Sequence, residues 1–288
     1  MIRKKDLNKL LITSHKVLLD SLIKLEGAGQ VQPEKLQKCL YWLFTSSLKN
    51  SSDVVKMPPD WWPKSITFSN YVDVFQNQPA LRWTFNSIYV SGVSTIIVII
   101  VGAMAAYAFS KINFKGKDII FIIFISSLMI PKEIMIVPLF RITQQFGMVN
   151  SYNGMIWPNV AGAFGVFLLK GFFDLTPNAL REAGRIDGAN EWRIFTRIMV
   201  PIIKPGIGAL FILNFVQVWN DYLWQLVIGQ ENKMKTLMVG TATLMQDLNP
   251  NFAYKMAGAT IAAIPMLLVF MLFQRFFTNG ITAGAVKE

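Results

Sequence analysis

Five stretches of this chain, 84–110, 118–140, 152–173, 206–229 and 254–276, each run for twenty or more predominantly apolar residues. A helix rises 1.5 Å per residue, so about twenty residues cross the roughly 30 Å of hydrocarbon in a bilayer. Water cannot satisfy backbone polar groups there, so such runs are stable as helices, whose N–H and C=O groups bond internally. The pattern predicts an all-α, polytopic membrane protein with five visible spans. Composition agrees: 53% of the 288 residues are hydrophobic and 16% charged, where soluble domains carry about 25% charged.

The formal net charge is +11. The basic residues are spread over the joins between runs, which argues against nucleic acid as a partner and matches the Lys/Arg bias of cytoplasmic loops. Lys111, Lys115 and Lys117 follow the first run; Arg181, Arg185, Arg193, Arg197 and Lys204 follow the third. The bias predicts 111–117, 174–205 and the C-terminus inside, with 141–151 and 230–253 outside. With one cysteine, Cys39, and one histidine, His15, the chain cannot form an internal disulfide or a Cys/His metal cage. His15 is read as a solvated surface residue. No Gly-x-x-x-x-Gly-Lys-Ser/Thr run supplies a nucleotide site. A membrane-embedded enzyme would need a nucleophile–base pair or a carboxylate–metal cluster in the spans. The histidine lies outside them, and Asp221 is the clearest of few carboxylates within them. No catalytic residue, metal or cofactor is therefore expected.

Small residues in the first span (Gly102, Ala103, Ala105, Ala106, Ala108) predict close helix contacts. Pro131-Lys132-Glu133 and Pro138 interrupt the second, either as a kink facing the bundle or as a helix that surfaces and re-enters. Lys132 and Glu133 must face protein, water or each other. The fourth span holds the richest polar set. Asn214, Gln217, Asp221 and Trp224 recur at three- and four-residue spacing and so share one face of a continuous helix. With Asn220 they form a candidate substrate pathway. Amides and carboxylates can bond sugar hydroxyls, and Trp can stack on an apolar sugar face. The alternative is a polar seam between helices. Asn86 and Ser87 are read as capping and packing residues.

The longest basic join, 177–205, predicts a helix–turn–helix. Thr176-Pro177 is a helix start, followed by Leu180, Glu182, Ala183 and Ile186. Gly188 ends that helix in a left-handed conformation, and Asn190 caps a second carrying Trp192, Ile194, Phe195 and Ile198. Pro201 and Pro205 break it. Its uncovered apolar side chains suit a groove on another protein; the alternative is a hairpin that merely joins two spans.

This pattern (Glu182, Ala183, Asp187, Gly188, Ala189, Phe195, Ile198, Pro201, Pro205) resembles the EAA loop of ABC importer permeases. Asn279-Gly-Ile-Thr-Ala-Gly-Ala-Val-Lys-Glu288 resembles the terminal signature of carbohydrate-uptake permeases of the maltose-transport type. Trp219-Asn-Asp-Tyr-Leu-Trp224 also resembles a family segment, although Gln225 stands where proline is common. Tyr41 to Lys49 and residues 58–75 resemble the exit of a first span and the external segment after it. The resemblance covers about residues 40 to 288. It implies a type I importer transmembrane domain over 84–276 and an external segment over 39–83. A cytoplasmic tail over 277–288 would touch the ATPases. The implied partners are a second homologous permease, two ABC ATPase subunits, an external solute-binding protein and the lipid bilayer of a bacterial inner membrane. The implied solute is a sugar or oligosaccharide, with another polar solute such as a glycerol phosphodiester as the alternative. The loop would dock on an ATPase through Glu182, Ala183, Gly184, Asp187, Gly188, Ala189, Phe195, Ile198 and Pro201. Two positions depart from the pattern. Val200 replaces a usual leucine, and Gly184 replaces a usual alanine, which loosens the helix by about 1 kcal/mol.

Residues 1–38 carry no span where the family has one. Leu7, Leu10, Leu11, Val17, Leu18, Leu22 and Leu25 instead predict an amphipathic helix. His15, Lys16, Asp20 and Lys24 interrupt any signal-peptide core. Either the first span is lost, or the sequence upstream of about residue 39 is aberrant.

Overall fold

The computed structural model describes residues 33–160, 162–246 and 251–285. The expected amphipathic helix around residues 7–25 lies outside them. Every regular element among the described residues is helical. They are α1 (Pro33–Ser47), α2 (Ser51–Val54), α3 (Ser69–Asn77), α4 (Ala80–Lys111), α5 (Lys117–Met129), α6 (Lys132–Gln145), α7 (Tyr152–Val160), α8 (Ala163–Asp174), α9 (Asn178–Ile186), α10 (Glu191–Ile202), α11 (Lys204–Trp219), α12 (Tyr222–Ile228), α13 (Leu237–Gln246) and α14 (Phe252–Ala285).

Among the described residues, two helices are long and apolar enough to cross a membrane by themselves, Ala80–Lys111 and Phe252–Val269. Three pairs are so only when two bent halves count together: α5 with α6, bent by 89°, α7 with α8, and α10 with α11, bent by 75°. The second expected span is thus broken rather than gently kinked. Pro131 itself is extended (ψ 132°). Pro138 breaks nothing. It lies in the first turn of the α-helical stretch Ile136–Gln145, where an N–H would have no intrahelical partner anyway. The third expected span is also two helices. Pro158 lies inside α7, and Gly162 is extended before α8. The fourth divides at Asn220 and Asp221, between α11 and α12. At the other end of the chain, α14 continues to Ala285 through most of the expected tail. Extending an existing helix needs no new nucleus.

The chain divides into two compact units. In the first, Met1–Leu81 with Gly240–Gln274, α1 ends in a tight knot. Asn70 Nδ2 donates to the carbonyls of Ser47 (2.9 Å) and Lys49 (2.8 Å). The Lys49 ammonium, 1% exposed, donates to the Asp60 carbonyl and lies 4.3 Å from the Trp42 ring centroid.

In the second unit, Arg82–Val239 with Arg275–Glu288, the described residues form two apolar clusters. One joins α4, α8, α10 and α11 through Val98, Ala106, Tyr107, Leu169, Phe173, Ile194, Phe195, Met199 and Leu210. The other joins α4, α7, α11 and α12 through Val90, Met155, Ile156, Val218, Trp224 and Ile228. The small residues of α4 act as expected. A Cβ on Gly102 would sit 3.5 Å from the Gly165 backbone, and Ala103 and Ala106 are buried.

Candidate functional site

The loop 177–205 folds as two helices sealed against each other. Helix α9 begins at Asn178, one residue later than Thr176-Pro177 predicts. Thr176 does not cap it; its Oγ1 donates back to the Phe172 carbonyl at 3.1 Å. Gly188 has φ +77°, the left-handed conformation expected of it. Around it, Gly188 N donates to Arg185 O (3.0 Å) and Ala189 N to Gly184 O (2.9 Å), the paired 5→2 and 6→1 bonds of a Schellman ending. Asn190 Oδ1 accepts from Arg193 N at 2.9 Å and so starts α10.

Gly184 has a different role from the one its helix propensity suggests. A Cβ there would meet Ile198 Cδ1 at 2.9 Å and Ile194 Cγ1 at 3.1 Å. The missing methyl lets α9 and α10 touch. The candidate coupling residues therefore separate into two groups. Gly184 and Phe195 are buried, and Ala189 and Ile198 half-buried, on the inner face; Glu182, Ala183, Asp187, Gly188 and Pro201 are exposed. Beside these lie the uncovered apolar side chains Leu180 (41% exposed), Ile186 (86%) and Trp192 (61%).

One carboxylate holds this elbow to α4, and the sequence reading missed it. Glu191 accepts from Arg181 Nη2 (2.9 Å), Arg185 Nη2 (2.6 Å) and Tyr107 Oη (2.7 Å). Partial burial opposes its charge. The hydrogen bonds from Arg181, Tyr107 and Arg185 and the Arg181 charge outweigh that, and the carboxyl is lowered to about 2. Tyr107 is wedged between the rings of Phe173 and Phe195, with centroids at 5.6 and 5.2 Å. One turn on, Ser110 donates to Asp174 (2.6 Å), and the Lys111 ammonium donates to Thr176 O (2.6 Å) and Asn178 Oδ1 (2.9 Å). The only hint in the sequence was a lone acid just after a cap residue, six and ten positions beyond two arginines.

A second site lies where broken helices meet. A cleft of about 330 Å³ is lined by Lys132, Glu133, Gln217, Asn220, Asp221 and Trp224, together with Ile136, Tyr222 and Leu223. Lys132 Nζ lies 2.6 Å from Asp221 Oδ2 and 2.7 Å from Asn159 Oδ1. Of the charged pair in the second span, Lys132 thus faces protein. Asp221 also caps α12, accepting from Trp224 N at 3.4 Å.

The helix break divides the single face expected for Asn214, Gln217, Asp221 and Trp224. Asn214 lies outside the cleft, buried, with its amide donating to Thr95 Oγ1 at 3.0 Å. This is the seam between helices that was the alternative for it. Trp224 is fully buried and its indole N–H donates to Gly154 O at 3.1 Å. That acceptor is free because the residue four positions on is Pro158, which has no N–H to offer it. Asn86 and Ser87 lie inside α4 and bond across to the stretch that leads into α13, Ser87 taking the first N–H of that helix. Asn86 Nδ2 donates to the Lys233 and Lys235 carbonyls (both 2.9 Å), and Ser87 Oγ accepts from Leu237 N (2.8 Å).

Broken apolar helices around a polar cleft, with an ordered elbow that carries a bare apolar tip, are the architecture of a membrane transport component. The family of binding-protein-dependent transport system inner membrane components matches residues 98–283, and the chain belongs to it. The arabinooligosaccharides transport system permease protein AraQ of Bacillus subtilis is 33% identical over 251 residues, 86% of this chain and 89% of AraQ. The melibiose/raffinose/stachyose import permease protein MelC of the same species is 34% identical over 251 residues, 86% of this chain and 90% of MelC. The diacetylchitobiose uptake system permease protein NgcG of Streptomyces coelicolor is 31% identical over 255 residues, covering 86% and 83%. Among solved structures, a bacterial ABC transporter that imports the acidic polysaccharide alginate shares the fold. Its TM-score is 0.75 over 96% of this chain and 99% of that chain, at 21% identity.

Proposed function

We propose that this chain is a non-catalytic membrane subunit of an ATP-driven oligosaccharide importer in a bacterial inner membrane. It works beside a second homologous permease, with two ABC ATPase subunits inside and a solute-binding protein outside. ATP is hydrolysed by the partners. The relatives named for arabinooligosaccharides, for melibiose, raffinose and stachyose, and for diacetylchitobiose support the solute class.

The observation that carries the reading is the elbow's two-sidedness. Its inner face is closed by Gly184 and the Glu191 carboxylate, while Leu180, Ile186 and Trp192 stay bare. A short apolar tip held in one shape suits a groove on an ATPase, since little ordering remains to oppose docking. Motion received there reaches α4 through Tyr107 and Lys111. In this reading the solute passes the cleft of Gln217, Asn220, Asp221 and Trp224.

The test is co-purification with the ATPase pair and ATP-driven uptake of a panel of neutral oligosaccharides in proteoliposomes. Ile186→Glu or Gly188→Trp is expected to abolish ATPase capture and uptake together. Uptake at full rate in both variants, or no uptake of any saccharide by the unaltered complex, overturns the reading.

A further inference from the structure

The cleft contains hydrogen-bonding groups that the protein itself leaves free. Among the described residues, the amides of Gln217 and Asn220 and the carboxylate of Glu133 have no protein partner, and all three residues are exposed. Each lies in a stretch otherwise apolar enough for a bilayer, where a bare amide or carboxylate against lipid is costly. Such groups are therefore placed to meet water or a polar solute. Lys132 adds to them. Its ammonium has three N–H donors; two are used by Asp221 and Asn159, and the side chain is 36% exposed.

The charges do not cancel. Lys132 is neutralised by Asp221 at 2.6 Å, which leaves Glu133 as the uncompensated charge of the lining. A cleft with free amide donors and acceptors, a paired cation and one unpaired carboxylate receives hydroxyl groups and repels anions.

We propose that Lys132 and Glu133 set the charge selectivity of the cleft. It accepts uncharged, hydroxyl-rich saccharides through Gln217, Asn220 and the Lys132–Asp221 pair, and Glu133 turns away carboxylated ones. This rests on the oligosaccharide reading above, and it names two residues which that reading does not use. The net charge falls on the side of neutral sugars because rejection comes from a carboxylate with no partner, whereas the one cation is already occupied.

The experiment uses the assembled transporter in nanodiscs without the binding protein, whose own selectivity is thereby removed. The probe is a radiolabelled neutral oligosaccharide that the uptake assay shows to be carried, measured by equilibrium dialysis. The competitor is the same oligosaccharide oxidised to its uronic acid. In the unaltered complex the acid is expected to compete about tenfold more weakly than the neutral sugar, the scale of one like charge nearby at a partly solvated site. Glu133→Gln is expected to bring the two within about twofold of each other, and Glu133→Asp, which keeps the charge, to preserve the gap. No binding of a carried sugar, equal competition in the unaltered complex, or the same change in Gln and Asp variants overturns the proposal. Absence of any carried saccharide overturns instead the reading it rests on.

Discussion

Replacing Glu191 by Gln keeps the size of the side chain and one oxygen for Tyr107, but removes the charge that gathers Arg181 and Arg185. The loss can be worked partner by partner. Arg185 is 54% exposed, and an exposed pair of this kind contributes between nothing and about 1 kcal/mol. Arg181 is 17% exposed and Tyr107 only 5%. Hydrogen bonds from such groups to a carboxylate contribute about 1.5–3 kcal/mol. Discounting for the exposure of Glu191 itself (38%), a cost of about 2 kcal/mol to local opening follows. At 1.4 kcal/mol per factor of ten, the elbow should open roughly thirtyfold more often. Hydrogen exchange reads this directly at the Asp187, Gly188 and Ala189 amides, which are bonded to Ala183, Arg185 and Gly184. Arg185→Ala, by contrast, should change exchange less than about fivefold. Exchange at those amides within twofold of the unaltered protein in Glu191→Gln would refute the claim that this carboxylate holds the elbow.

Lys132→Met should destabilise the protein by about 3 kcal/mol, because Asp221, 11% exposed, is left as a lone charge. Asp221→Asn should cost about 1 kcal/mol, since Lys132 reaches water and Asn still caps α12; thermal unfolding in detergent compares the two, and equal losses contradict the asymmetry. Gly154→Ala should cost about 3 kcal/mol in the same assay, because its Cβ would lie 2.2 Å from the Met148 carbonyl oxygen, so that backbone must shift to make room. A pH series gives a further check. With Glu191 at about 2 in the fold and about 4.3 unfolded, its contribution is complete above about pH 5 and lost as pH falls toward 2. Elbow protection corrected for intrinsic exchange should be flat from pH 8 to 5 and decline below, and Glu191→Gln should remove that decline.

The elbow was legible because its signals are local. Gly188 needs its left-handed turn and Asn190 its cap whatever the rest of the chain does, and both behave as read. Of the breaks in the spans, the one at Pro131-Lys132-Glu133 was legible, where a proline and two charges mark it, whereas Pro138 marked none. The division at Asn220 and Asp221 was hidden because a helical spacing carries on through the cap residue as if nothing intervened. Gly184 was misjudged for a related reason. Propensity concerns the helix alone, while the deciding contacts come from Ile194 and Ile198 on the next one. Tyr107 and Glu191, 84 residues apart, carried no common pattern at all.

Helix α4 contains no proline and no break over its 32 residues. Near one end Trp83, Asn86 and Ser87 grip the stretch 232–237; near the other Tyr107, Ser110 and Lys111 grip the elbow and its approach. From Ser87 to Lys111 is about 36 Å at 1.5 Å per residue. One unbroken helix thus links the elbow to residues 232–237, and in the proposed importer a tilt imposed at the elbow would be carried there by α4 itself.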